Sequence, residues 1–256
     1  MIKAVYLQGL RENLRLVRII PWVLLALCGV GVAILWRTNS GGQSARSDFD
    51  QVSAFMVFRV LALASAILTN WIVSAEVEKK TIVYLLTRPI PRWALLLGRY
   101  LASVTMVTFI GILCLIGVSL GTYSQLLPSG SQSLSSIEAI VLGSFAYGAL
   151  FLTLSLLLNR SMLVSLLFAF GWEASIPNLP GTAYWFSIFT HLITVAHRGK
   201  APPVNNKLDL LTVSLNAGKL TMFQSVSVLI GIIVVALGIG ILLFSNFEYV
   251  PREDAG

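Results

Sequence analysis

Few residues of this 256-residue chain could do chemistry, and most of them lie inside or beside long apolar runs. Arg59 interrupts one run, Glu173 nearly closes another, and His191 and His197 follow six residues apart. Metal-assisted hydrolysis within a membrane needs a constellation such as His-Glu-x-x-His on one helix. The sequence holds no such motif, and the two histidines read as interfacial polar residues. A Gly-rich phosphate loop ending in Lys and Ser/Thr is also absent from the sequence, so the chain cannot hydrolyse ATP alone. Cys28 and Cys114 both fall within apolar runs, as small core residues do, and suggest neither a disulfide nor a metal site. Bulky Leu27 argues against lipoprotein processing at Cys28, so the first run reads as a retained anchor. The densest group of charges is Glu76, Glu78, Lys79, Lys80, Arg88 and Arg92. Val77, Thr81, Tyr84 and Leu85 among them share a helical face, and Pro89 and Pro91 end any helix. That is the layout of a short amphipathic helix docked on something outside the bilayer.

The elements that position these residues follow from composition. Only 11% of residues are charged and 56% are hydrophobic, with a mean hydropathy of +0.83. Soluble domains carry about 25% charged residues, so this chain cannot cover a soluble surface. About 20 apolar residues cross a bilayer core, and six runs qualify: 19–36, 54–75, 93–122, 137–159, 161–176 and 223–245. They are continuous rather than alternating, which excludes a β-barrel. The expected fold is an all-α membrane protein forming a single transmembrane domain over 1–256, in the cell's inner (plasma) membrane.

Six spans place both termini on one side. With the N-terminus inside, 11 of the 18 Lys and Arg residues are cytoplasmic, 6 lie opposite, and Arg59 is within a span. The positive-inside rule selects that orientation and accounts for the net charge of +7. No stretch interleaves basic residues with base-stacking aromatics, so nucleic acid is not an expected partner.

Residues 3–18 place Val5, Leu7, Leu10, Leu14 and Val17 near helical spacing, with Arg11, Arg15 and Arg18 on the polar side. This predicts an interfacial helix. Loops 37–53 and 123–136 are polar, the first Gly/Ser-rich and expected to be flexible. Residues 159–161 form a minimal turn, which makes the fourth and fifth spans antiparallel neighbours. Within 177–222, Pro177 to Gly181 breaks the fifth span, and a moderately apolar stretch runs from Tyr184 to Ala196. One or two short re-entrant or interfacial helices are expected there. Gly111, Gly117, Gly231, Gly238 and Gly240 are expected to permit close helix packing.

Arg59 admits two readings. It snorkels to the outer headgroups, or it faces a cavity and pairs with Glu173 at a compatible depth. Glu173 could equally cap the following turn by accepting backbone N–H bonds.

The 76–92 segment resembles the cytoplasmic coupling region of ABC type-2 exporter permeases. The likeness rests on Glu76, Glu78, Lys79, Thr81, Ile82, Leu85, Leu86, Pro89, Ile90 and Arg92, followed by Leu97-Gly98-Arg99. Lys80 stands where many members have glycine. The family's layout of an N-terminal interfacial helix, six spans and re-entrant helices after the fifth is similar to the one read here. Trp172-Glu173, Pro177 to Gly181 and Ser187 to His191 resemble one branch of it.

The resemblance implies the membrane subunit of an exporter that pairs with a second permease copy or paralogue and with two cytoplasmic ABC ATPase subunits. ATP and Mg belong to those partners, and this chain needs no cofactor of its own. Glu76, Glu78, Lys79, Lys80, Thr81, Tyr84 and Arg88 are the expected ATPase-docking residues, and Arg59 and Glu173 the expected polar marks of the pathway. Leu61, Leu68, Leu167, Phe168 and Phe170 make the second and fifth spans apolar, which suits a lipid-like or amphipathic substrate. The alternative is a non-transporting scaffold that passes ATPase strokes to another protein.

Overall fold

Within lipid, backbone N–H and C=O groups can bond only to one another, so apolar runs of this length fold as helices. The computed structural model describes residues 2–14, 16–39, 45–78, 92–127, 130–158, 160–178, 182–198 and 219–246, and among them there is no strand. The helices are α1 (Ile2–Asn13), α2 (Leu16–Asn39), α3 (Ala45–Ser53), α4 (Arg59–Glu78), α5 (Arg92–Tyr123), α6 (Ser131–Leu157), α7 (Ser161–Leu167), α8 (Ile188–Ala196) and α9 (Met222–Asn246). A π-helical turn, Ala54–Phe58, joins α3 to α4 without a break, and a second, Phe168–Trp172, extends α7.

Among the described residues, five helical stretches are long and apolar enough to cross a membrane: Ile19–Asn39, Ala45–Trp71, Trp93–Tyr123, Gln132–Leu157 and Met222–Ser245. The expected span at 161–176 is a shorter apolar helix, Ser161–Ser175. At 1.5 Å per residue it reaches about 22 Å, short of a bilayer core of about 30 Å. The six-span expectation therefore stands at five by length.

Two expected loops are partly helical. Residues 45–53 form α3, which buries Phe49 and Val52 together with Asp48 and Gln51. Asp50 and Gln51 have partners on other helices, Gln132 and Trp36, so a polar sequence is here an internal one. Helix α6 likewise begins at Ser131, within the second expected loop.

The N-terminal helix is shorter than expected, ending at Asn13, and its buried positions are Gly9 and Asn13 while Leu7 and Leu14 are exposed. Small residues let it approach α5. A Cβ at Gly98 would lie 3.1 Å from Val5 Cβ, and one at Gly9 would lie 3.0 Å from Ala102 Cβ. Tyr6 Oη and Thr105 Oγ1 add a hydrogen bond at 3.3 Å. Further along, Gly117 and Gly121 of α5 meet Ala26, Val30 and Ala33 of α2. Helices α1 and α2 thus climb α5 in the same direction, with Pro21 accommodated near the start of α2.

The expected glycine packing holds at Gly111, against Ile140 and Leu61, and at Gly117. It does not hold in α9: Gly231 and Gly238 have open space where a Cβ would be, and Gly240 makes only ordinary contact with Thr153. Helix α9 is tied to α6 instead by Thr153 Oγ1, which donates to the Ala236 carbonyl at 2.7 Å.

Candidate functional site

Both charged residues singled out within the spans follow π-helical turns. Arg59 caps Ala54–Phe58, and Glu173 caps Phe168–Trp172. A π turn shifts the register by one residue and is often found at functional sites. The local signal is slight, since neither AFMVF nor FAFGW contains a residue that compels the turn.

Glu173 is 1% exposed. Its carboxylate accepts three hydrogen bonds: from Ser187 Oγ at 2.7 Å, Ile188 N at 3.0 Å and Phe189 N at 3.0 Å. Ser187 Oγ in turn accepts from Thr190 N at 3.2 Å. Two N–H groups of the first turn of α8 are thereby held by Glu173, and a third by the N-cap serine. A carboxylate at a helix N-terminus also opposes the positive end of the helix dipole. The capping role is the one the structure shows for Glu173.

Phe189 links this cap to Arg59. Its backbone N–H bonds Glu173 Oε2, while its ring carries the Arg59 guanidinium 4.3 Å from the centroid. The two charges therefore share a neighbourhood without a direct ion pair within 4 Å between them. Partly buried Arg59 thus rests against an aromatic face in a cation–π contact. Tyr147, fully buried on α6, heads an aromatic ladder that continues through Phe151 and Phe168 to Trp172, beside Glu173.

The partners of α3 and α4 rise in order along those helices. Asn70 Nδ2 donates to Ser165 Oγ at 2.9 Å on α7, Arg59 meets Phe189 at the start of α8, and Asp50 meets His197 at the end of α8. The segment from α7 through Ser175 and then α8 thus runs the length of α3 and α4 in two pieces, with Glu173 at the junction. Every residue from Ile188 to Val195 is buried.

The other expected site residues fare differently. Glu76 and Glu78 belong to the last turn of α4 by backbone, and Lys79, Lys80, Thr81, Tyr84 and Arg88 lie outside the described residues. Leu61 and Leu68, expected to line a pathway, are buried in the chain's own core; Leu167 and Phe170 are 72% and 57% exposed. The histidines are not simple interfacial residues. His191 is buried, with Nε2 donating to the Trp185 carbonyl at 3.0 Å, and His197 faces Asp50. Their spacing gave no hint of either partner.

Residues 13–172 match the family described as ABC-2 family transporter protein. The chain belongs to the ABC-2 transporter family. Among curated proteins none matches it. With its apolar helices, this makes it a multi-pass membrane protein of a family whose permease subunits are generally not enzymes. In this ABC-2 chain the matched region includes Arg59 and the whole 76–92 segment and ends at Trp172. Glu173, α8 and α9 lie beyond it.

Arg59→Leu tests whether the cation serves the fold. It removes a cation–π contact worth about 0.5–2 kcal/mol but also a charge that is costly to desolvate. The expected result is a melting temperature within about 4 °C of wild type in detergent. A loss above about 10 °C would make Arg59 a structural residue and remove it from the pathway reading.

Proposed function

We propose that this chain is the membrane-spanning subunit of an ATP-driven ABC-2 exporter, working as a dimer with a second copy or paralogue and driven by separate cytoplasmic ATPase subunits that hold ATP and Mg. The observation that carries this reading is the place of the 76–92 segment. It joins α4 to α5, two helices that contribute heavily to the core. Force applied to Glu76, Glu78, Lys79, Lys80, Thr81, Tyr84 or Arg88 would reach both helices, and through Gly98 and Ala102 it would reach α1. A stroke moves the spans only if the two ATPase states contact this segment differently.

The orientation with both termini cytoplasmic needs an even number of crossings. The two-piece segment of α7 and α8 supplies the sixth in this reading, because its contacts extend along α3 and α4. Only 11% of the strongly apolar α9 stretch is buried, which leaves a face for lipid or for the second copy. Arg59 remains the polar mark of the pathway, with Glu173 fixing the helix beside it. The exposed Leu167 and Phe170 suit a lipid-like or amphipathic substrate. A scaffold driven by the same ATPases is the second reading, favoured by the burial of Leu61 and Leu68.

The test is a pull-down from detergent extracts followed by mass spectrometry and an ATPase assay. A stoichiometric soluble ABC ATPase is expected. Its association should weaken about tenfold or more, equivalent to about 1.4 kcal/mol, when Glu78→Lys is combined with Tyr84→Ala, while the permease melts as wild type. Unchanged association would rule out docking at this segment. An ATPase that couples without any substrate-dependent transport in proteoliposomes would favour the scaffold.

A further inference from the structure

Two polar side chains near the start of α8 offer hydrogen bonds that no described residue takes. The first is Arg59. Phe189 stabilises its charge, with the ring centroid 4.3 Å away, but a ring gives the N–H groups of a guanidinium no oxygen to bond. Among the described residues no carboxylate lies within 4 Å of Arg59 and no oxygen accepts from it. Glu173 has its oxygens committed: Oε1 accepts from Ile188 N, and Oε2 from Ser187 Oγ and Phe189 N. The second is Tyr147. Its hydroxyl is fully buried and has no hydrogen-bond partner among the described residues, although Tyr147 lies within electrostatic reach of both Arg59 and Glu173. Arg59 itself is half-buried and so open on one side. One turn before it, in the π-helical turn, Phe55 is 45% exposed, and one turn after it Leu63 is half-buried. The open cation therefore sits within an apolar stripe.

We propose that Arg59 and Tyr147 bind the anionic headgroup, a phosphate or a carboxylate, of an amphiphile whose apolar tail lies along Phe55 and Leu63. The planar fork of an arginine takes two oxygens of such a group side by side. The Tyr147 hydroxyl adds a further donor. A ligand oxygen thus gains charge-assisted bonds and also relieves donors that are costly to leave unpaired. The sign of the ligand's charge follows from the balance around Arg59. Glu173 is the one opposing charge in reach. It is itself met by three donors and by the positive end of α8. The cation is what remains uncompensated, and low polarity strengthens its pull on an anion. A neutral headgroup would use the same donors without that gain, and a cationic one would be repelled. The site gives the proposed exporter a substrate class, anionic amphiphiles, and rests on that reading only for the claim that the bound molecule is transported.

The test is equilibrium binding of radiolabelled dodecyl phosphate to the full chain in dodecyl maltoside micelles, with empty micelles subtracted and no ATPase present. Saturable binding is expected. Unlabelled dodecanoate should compete. Dodecylphosphocholine, which has the same tail but a cation on its phosphate, should compete about tenfold less well or worse, and inorganic phosphate less well still. Arg59→Leu should weaken binding by about tenfold or more. Arg59→Lys, which keeps the charge but not the fork, should fall between that variant and wild type. Tyr147→Phe should weaken binding by about two- to tenfold. Non-saturable binding, equal competition by the phosphocholine, or unchanged affinity in Arg59→Leu or Tyr147→Phe would each overturn the site. Inorganic phosphate competing as well as dodecyl phosphate would overturn the amphiphile and leave a site for the free ion. Should Arg59→Leu fail to fold, the wild-type preference for dodecyl phosphate over the phosphocholine decides. Saturable binding by a chain that captures no ATPase would keep the site and overturn the exporter; an ATPase captured by a chain that binds no dodecyl phosphate would do the reverse.

Discussion

Glu173→Ala should cost about 3–5 kcal/mol, enough to lower the melting temperature in detergent by about 10 °C or more. The carboxylate holds Ser187 Oγ, Ile188 N and Phe189 N, and alanine offers them nothing. Each buried donor left without a partner costs about 1–3 kcal/mol, and water cannot reach a site where Glu173 is 1% exposed. Arg59 loses the opposing charge of Glu173 at the same time. These losses are not additive, because the start of α8 can refit in part. Glu173→Gln keeps one acceptor oxygen but points an N–H2 group at backbone donors, so an intermediate loss is expected. Ser187→Ala removes the bond to Glu173 and the cap on Thr190 N, at about 1 kcal/mol. Thermal melting should rank Glu173→Ala as the most damaged, Glu173→Gln next and Ser187→Ala least. A Glu173→Ala protein melting within about 2 °C of wild type would show that α8 does not depend on this cap. The same series separates structure from transport: a structural Glu173 lowers the amount of folded protein and leaves the turnover of what folds close to wild type.

What could be read from the sequence divides along physical lines. Long apolar runs announced themselves, because a span needs only length and hydropathy, both local properties. The similar depth of Arg59 and Glu173 was legible from their places in the apolar runs, but whether they pair was left open. Their chemistry was less so: Phe189 stands between them, and no local pattern says which aromatic ring will receive a cation. Arg46, Ser47, Asp48, Asp50 and Gln51 look solvated in the sequence, which predicts a loop where the structure has α3. Their partners, Trp36, Gln132 and His197, are distant in sequence, so the burial that makes them helical is a tertiary event. For the same reason His197 looked like an interfacial residue. The interruption at Pro177 to Gly181 was visible, but a helix after a break can turn back or continue, and only the order of contacts at Asn70, Arg59 and Asp50 distinguishes the two.

Packing of α2 was also half-legible, and it sets up the second large effect. Close approach is expected at Gly117, and the structure adds Gly121, its partner in the small-xxx-small pair Gly117-Val-Ser-Leu-Gly121. A Cβ at Gly121 would lie 2.5 Å from Ala33 Cβ and 2.9 Å from the Val30 carbonyl oxygen, and one at Gly117 would lie 2.7 Å from the Ala26 carbonyl oxygen. Carbonyls of a helix cannot swing aside as a side-chain tip can, so Gly121→Val forces the helices apart. Overpacking costs about 1–3 kcal/mol when side chains can yield, and occasionally more; a backbone contact belongs at the upper end. Only 22% of the α2 stretch is buried, and much of that burial faces α5, so separation here removes most of what holds α2 to the bundle. The control is Gly231→Ala in α9, where nothing lies within 4 Å of the added carbon and helix propensity gains up to about 1 kcal/mol. In detergent, Gly121→Val should melt about 6–12 °C below wild type, and Gly231→Ala at or slightly above it. Equal melting of the two variants would mean that α2 rests on lipid and not on α5, and that the glycine pair does not fix its position.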